Sequence, residues 1–291
     1  MSVERDLAEL LAWAEAAVSD VARENLGRDV RALLERARAG EYERTDFEAR
    51  NVFDVARRTH EFLAYLGGWS EQAEAWARVF ERLELTGDES IAHLCPGWAP
   101  KLELALARRG HRGRVSLIDK RRSGPDRIVA FLRLLAGALD VEVIERDLFA
   151  ADEATYALVL ANHVVDDLLL EEAAAALSID PPRIYADEAT LERALGEVVR
   201  REERAGELMA RLARAIARRV APRGRAVVTH YPSYVSRITG AERVERALED
   251  AFIRLCRELP SQGLVELPGD ARSGSGSGFV LPAHVFVRPA V

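Results

Sequence analysis

The chain has 291 residues, 48% hydrophobic and 31% charged, with 41 lysines and arginines against 48 acidic residues and a formal net charge of -7. That length supports one large α/β domain plus a smaller one, each with its own core, and the negative balance argues against nucleic acid as a partner. Cys95 and Cys256 lie far apart without ligand-spaced neighbours, so neither a disulfide framework nor a structural zinc site is expected, and a reducing cytoplasm fits.

The opening segment MSVERDLAELLAWAEAAV breaks its apolar stripe with charges, unlike a signal peptide, and no run is long enough to span a bilayer. The expectation is a cytoplasmic protein without membrane partners. Residues 1–86 read as helices only: Val3–Glu24, Arg28–Ala39, Phe47–Leu66 and Glu71–Leu85, with Gly27, Gly40 and the Gly67-Gly68 pair where C-caps are expected. Trp13, Trp69 and Trp76 suit the core of this helical domain. The polar segment Thr86–Glu89 marks the boundary, with a second domain over 87–291.

From Ser90 the period changes. Strands are predicted over Ser90–Cys95, Arg114–Asp119, Val141–Glu145, Tyr156–Ala161 and Arg225–Tyr231, alternating with helices over Lys101–Arg109, Arg127–Leu139, Asp167–Leu177 and Ala241–Glu258. Apolar strands separated by helices imply right-handed crossovers and a mostly parallel, Rossmann-like sheet covered on both faces. A long helical pattern, Asp187–Val220, is predicted to break near Gly196 or Gly206 or to project into a partner, and to end at Pro222 and Gly224. Two strand-like runs close the chain, Leu264–Leu267 and Phe279–Val287. They are joined by a Ser/Gly stretch too short for a crossover helix, so they must be antiparallel. The fold class predicted is α/β, with seven strands and a C-terminal antiparallel hairpin.

In such a sheet the ligand lies beyond the carboxyl ends of the strands, and the chemistry-bearing residues gather there. The loop Cys95-Pro96-Gly97-Trp98-Ala99-Pro100 leads into a helix whose free N–H groups can hold an anion; Gly97 permits close approach, and Cys95 and Trp98 flank it. Asp119 ends the second strand about 20 residues later, the spacing at which a carboxylate accepts hydrogen bonds from two ribose hydroxyls, with Lys120 beside it. Asp147 is positioned to receive an adenine amine, with Leu148 and Phe149 against the ring. Asn162 and His163 follow the fourth strand, where they would face a cofactor's reactive atom and His163 could serve as a general base. His230, Tyr231 and Tyr234 add groups to the same rim. A metal site from His163, Asp166 and Asp167 is not expected, because the two aspartates point to different helix faces.

Over residues 88–291 this order resembles the class I S-adenosylmethionine-dependent methyltransferases. The stretch YALVLANHVVDDL, Tyr156–Leu168, resembles the family's fourth motif, and the terminal hairpin matches its last two strands. His93, Cys95 and Ala99 stand where the family carries an acid and two glycines, and Ala157 stands where it carries an aspartate. The resemblance implies S-adenosyl-L-methionine as cofactor, held at Cys95, Gly97, Trp98, Asp119, Lys120, Asp147, Leu148 and Asn162, with His163 and Tyr231 acting on a small-molecule acceptor. A homodimer is left open. The loop also resembles, faintly, that of nicotianamine synthase-like enzymes, which transfer aminocarboxypropyl from the same cofactor. A non-catalytic descendant of the fold is the third alternative.

Overall fold

The computed structural model describes residues 61–97, 99–132, 139–151, 154–180, 184, 188–231, 242–268, 273–274 and 280–290. A helix, α1 (Glu61–Arg82), precedes β1 (Ile91–Leu94), α2 (Lys101–Arg108), β2 (Val115–Asp119), α3 (Ser123–Leu132), β3 (Val141–Glu145), β4 (Tyr156–Asn162) and α4 (Val164–Ala176). There follow α5 (Glu188–Arg200), α6 (Glu202–Ala217), β5 (Val220–Thr229), α7 (Glu242–Ser261), β6 (Val265–Glu266), β7 (Ser273–Gly274), β8 (Val280–Leu281) and β9 (Ala283–Val287).

Seven strands form one sheet in the order β3-β2-β1-β4-β5-β9-β6. The first five pair in parallel, and β9 runs antiparallel between β5 and β6. Every residue of β1 is buried, as are all of β2 but its last and all of β4 but Ala157. Helices on both faces account for that burial, and it is why these strands read as largely apolar runs, broken only by His93 and Ser116.

Alternate side chains divide between two cores. Leu94, Ile118, Val159 and Ala161 join the faces of α4, α5, α6 and α7, including Leu191, Leu212 and Leu255. Ile91, Leu117, Leu160 and Val227 join Trp76 and Phe80 of α1 and Leu102 and Leu106 of α2. The helix before Thr86 therefore shares the sheet's core. The expected helices Val3–Glu24 and Arg28–Ala39 lie outside the described residues.

Several local expectations need correction. The Gly67-Gly68 pair does not end a helix: α1 runs through it. Each glycine costs a helix about 1 kcal/mol, and burial of a side chain the size of Trp76 or Phe80 exceeds that. The long pattern over Asp187–Val220 breaks at neither Gly196 nor Gly206 but at Arg201 (φ -106°, ψ 16°), where Glu197 pairs with both Arg200 and Arg201. Gly206 lies in α6 facing α7, where a Cβ would make an ordinary 3.6 Å contact with Arg254 Nη1. Pro222 and Gly224 occupy an irregularity inside β5 rather than a helix end. The register with β4 shifts between Tyr156 and Leu158, and a Cβ on Gly224 would meet the Ala221 and Tyr156 carbonyls at 2.8 and 2.9 Å. The last predicted strand is split by Pro282 into β8 and β9, and β8 pairs with β7 in a separate two-stranded sheet. No described helix is long and apolar enough to cross a membrane.

One polar pair is sealed in this core. His93 on β1 and Glu103 on α2 approach to 2.6 Å with side chains 1% and 0% exposed. Removing one partner strands the other away from water. Glu103→Ala is expected to lower unfolding stability by about 3–5 kcal/mol, read from the urea midpoint at constant slope; a loss under about 1 kcal/mol would show that the pair is dispensable.

Candidate functional site

The carboxyl ends of β1, β2, β4 and β5 meet along one edge. At the end of β1 the chain turns sharply: Cys95 and Gly97 both have positive φ, 47° and 63°. A Cβ built on Gly97 meets nothing within 4 Å, so that face of the loop is open. Trp98 lies outside the described residues. Pro100 caps α2 without a side-chain bond, leaving the first-turn N–H groups to other partners.

Asp119 ends β2 half-buried. Its Oδ1 accepts the backbone N–H of Arg121 at 2.9 Å, so one oxygen already closes a local turn. Burial pushes its carboxyl up, with the Arg121 N–H opposing. Across from Gly97 the start of α3 comes in backbone to backbone, and a Cβ on Gly124 would lie 2.2 Å from the Gly97 carbonyl oxygen. Lys120 is paired with Glu171 of α4 and does not stand as an unengaged cation beside Asp119.

After β3, Asp147 Oδ1 accepts the Phe149 N–H at 2.7 Å, again an Asx-type turn. Leu148 departs from expectation. Its side chain is 5% exposed within the core, and its carbonyl accepts from Arg219 and Arg218 at 3.0 and 2.8 Å. It cannot lie against an adenine ring, because the chain must bury an apolar side chain as it drops from β3 towards β4. Phe149 is partly buried, with the Arg211 guanidinium over its ring 4.2 Å from the centre.

At β4 and β5 the parallel register places Asn162 opposite Thr229, and the Thr229 hydroxyl donates to Asn162 Oδ1 at 2.8 Å. Asn162 is thus buried between strands. The next residues, His163 and His230, stand side by side, with the His163 N–H donating to the Thr229 carbonyl. Between them comes Asp166 from the first turn of α4: His163 Nδ1 lies 3.0 Å from Oδ2 and His230 Nδ1 lies 3.1 Å from Oδ1. Burial alone would raise the Asp166 carboxyl; the two imidazoles outweigh it and hold it well below the usual carboxylate range.

Tyr231 meets the His163 ring edge-on at 4.2 Å between centres. Its hydroxyl accepts from Lys101 Nζ at 3.1 Å and donates to Gln72 Oε1 at 3.2 Å, tying α1, α2 and the end of β5 together. Asp167 is pushed up to about 7 by the protein crowded round it and by Asp166, Glu171 and Asp119. Since its side chain is exposed on this edge, the three like charges are the firmer cause.

The structure therefore brings His163 and Tyr231 together, sets Gly97 near Asp119, and removes Leu148 and Asn162 into packed surroundings. Sequence reasoning underrated Asp166, His230, Lys101 and Glu171. The only sequence signal for the first two was their place after strand ends, since their meeting depends on strand register. Two cavities formed by described residues lie elsewhere; the larger, about 590 Å³, is lined by Phe149 and by Arg211, Arg214, Arg218 and Arg288.

The class this architecture defines is a Rossmann-like α/β domain with an antiparallel strand inserted next to the sheet's edge. No family model matches the chain, and no curated protein matches it. Among solved structures it is similar to the N-methyltransferase NodS of Bradyrhizobium japonicum, at 16% identity and TM-score 0.38, over 76% of this chain and 96% of that one. It is similar also to magnesium protoporphyrin IX methyltransferase of Synechocystis with bound SAH, at 12% identity and TM-score 0.47, over 84% and 95%. A TehB-like SAM-dependent methyltransferase of Corynebacterium glutamicum gives 15% identity and TM-score 0.41, over 77% and 96%. At these identities and TM-scores the likeness says nothing about activity.

Both thiols sit where the thiolate is disfavoured. Cys95 is raised well above its ordinary value by burial and by Asp119, Asp167 and Glu171, and burial pushes Cys256 up to about 12. The thiolate is the nucleophile. Iodoacetamide at pH 7.5 is therefore expected to leave both unmodified in the folded protein and to alkylate both in urea, as read by intact mass; rapid labelling of folded Cys95 would contradict this.

Proposed function

We propose that the protein is an S-adenosyl-L-methionine-dependent methyltransferase acting on a small-molecule nucleophile. The observation that carries the proposal is the sheet order β3-β2-β1-β4-β5-β9-β6 with β9 antiparallel, the arrangement that the resemblance of residues 88–291 implies. The site's charge supports it. Asp119, Asp167 and Glu171 crowd the edge, and their mutual repulsion, expressed in the raised Asp167 carboxyl, is relieved by a cation. S-adenosylmethionine carries a sulfonium and an ammonium against one carboxylate, so this donor set fits it.

Bound there, the cofactor supplies an electrophilic methyl group. Gly97 leaves room against the loop, and the first turn of α2 offers N–H groups to a carboxylate. Asp119 accepts from the ribose with its Oδ2, while Oδ1 stays in the Arg121 turn. Because Gly124 rests on Gly97, this mode of binding requires the 121–124 turn to yield. Asp147 remains the group for the adenine amine, with Leu148 removed from that role. The acceptor is held near Tyr231, and the His163–Asp166 pair takes up the proton of a protonated nucleophile. Alignment of acceptor and methyl group supplies much of the rate.

Two outcomes follow. Calorimetry should detect S-adenosylmethionine binding that Asp119→Ala abolishes while the melting temperature without ligand is kept. If neither the cofactor nor S-adenosylhomocysteine shifts the wild-type melting temperature at millimolar concentration, the reading fails. With an acceptor in hand, His163→Ala should lower kcat by about 10²–10⁴-fold and leave cofactor affinity unchanged. Release of methylthioadenosine in place of S-adenosylhomocysteine would refute methyl transfer in favour of aminocarboxypropyl transfer.

A further inference from the structure

We infer that His163, Asp166 and His230 form a binding site for one divalent transition-metal ion, zinc foremost, at the carboxyl ends of β4 and β5. The inference stands on these three side chains and not on the transfer reaction. It replaces the set His163, Asp166 and Asp167 set aside on sequence grounds: Asp167 does turn elsewhere, and His230 supplies the third ligand from another strand.

The first support is spacing. One ligand atom from each residue lies within 4.8 Å of the others, and the two histidine-to-carboxylate separations are 3.0 and 3.1 Å. Tetrahedral ligands bound at about 2.0–2.1 Å stand about 3.3 Å apart; the two histidine-to-carboxylate separations already approach this, and the imidazoles close on the ion from within 4.8 Å.

The second support is unmet bonding. His230 Nδ1 and Asp166 Oδ1 are both buried and form a 3.1 Å ion pair whose geometry falls short of a hydrogen bond. They are near without being aligned. Buried polar atoms are seldom left so, and an ion between them would satisfy both. With the side chains of His230 and Asp166 each 9% exposed, water is a poor substitute.

The third support is preorganisation. His163 adopts a left-handed conformation, φ 63° and ψ 17°, which costs a non-glycine residue energy and recurs at functional positions. Tyr231 abuts its ring, and Phe252 stacks on His230 at 5.4 Å between centres. The Asn162–Thr229 bond fixes the strand ends from which both histidines extend.

Two imidazoles and a carboxylate are borderline donors, suited to zinc or ferrous iron and poorly suited to magnesium or calcium. Three protein ligands leave a coordination position for water or for an oxygen or nitrogen of a bound molecule, as open zinc sites do. With the ion bound, His163 is a ligand and not a base. The ion would then lower the pKa of whatever it holds.

The test uses the full chain, stripped with chelator and titrated with zinc and with cobalt. One ion per chain by elemental analysis is expected, with visible cobalt bands of low coordination number. His163→Ala and His230→Ala should each weaken zinc binding by about 100-fold or more, since loss of a supporting partner alone costs about 10–100-fold. His284→Ala, an exposed histidine paired with Glu266, should leave it unchanged. Where a replacement unfolds the chain, X-ray absorption of zinc-loaded wild-type protein decides: two imidazoles and oxygen, without sulfur, support the site. Folded wild-type protein that retains no ion at micromolar zinc overturns it, as does sulfur ligation or binding indifferent to both histidine replacements. None of these readouts involves S-adenosylmethionine, so failure here leaves the methyltransferase reading standing, and the reverse holds.

Discussion

The parallel register of β4 and β5 is the constraint on which the functional edge depends. Asn162 opposite Thr229, locked by a buried side-chain hydrogen bond, leaves the next residue of each strand a histidine, and those two project side by side beyond the sheet. The first turn of α4 then drops Asp166 between them. A slip of one residue would turn one imidazole to the opposite face of the sheet. The left-handed His163 belongs to the same arrangement, for it lets the chain leave β4 and enter α4 almost at once. That brevity is what brings a helical carboxylate within 3.0 Å of a strand-end imidazole.

Charge gives the edge its second character. A chain with a formal charge of -7 has gathered Asp119, Asp166, Asp167 and Glu171 around a few residues of cleft, opposed by Lys101, Lys120 and Arg121 and, at Asp166, by His163 and His230. Lys120 is held by Glu171, and Lys101 by the Tyr231 hydroxyl. Like charges at close range raise one another's pKa, and the site as it stands is short of positive charge. A cationic cofactor beside Asp119 and a divalent ion beside Asp166 would each supply some. The two proposals share this electrostatic reason; cofactor binding rests on Asp119 and the loop after β1, the ion on His163, Asp166 and His230, and a bound ion would take His163 from the role of base.

Much of the architecture could be read from residues in order. Largely apolar runs at 91–94, 115–118 and 156–161, interrupted only by His93 and Ser116, declare strands buried on both sides, because only a sheet covered by helices removes every side chain from water. The absence of a crossover before the last strand declares it antiparallel. Asp119 at a strand end is likewise visible, since strand ends in a parallel sheet are where side chains reach a ligand. Legibility failed where packing overrode local preference. Gly67 and Gly68 continue a helix because its face is buried against α2, and Pro222 and Gly224 shape a bulge instead of a stop. Leu148 goes to the core because an apolar side chain beside the sheet has nowhere drier to lie.

The mostly parallel sheet with helices between its strands, and the antiparallel strand that closes it, were legible in the sequence itself, since hydrophobic period and turn residues act over a few positions along the chain. The meeting of His163, Asp166 and His230 was decided only by tertiary structure. So were the Lys101–Tyr231–Gln72 link and the pressing of Gly124 onto Gly97. Each joins residues far apart in the chain, and their distance is set by strand register and helix docking, which are properties of the assembled sheet and not of any segment within it.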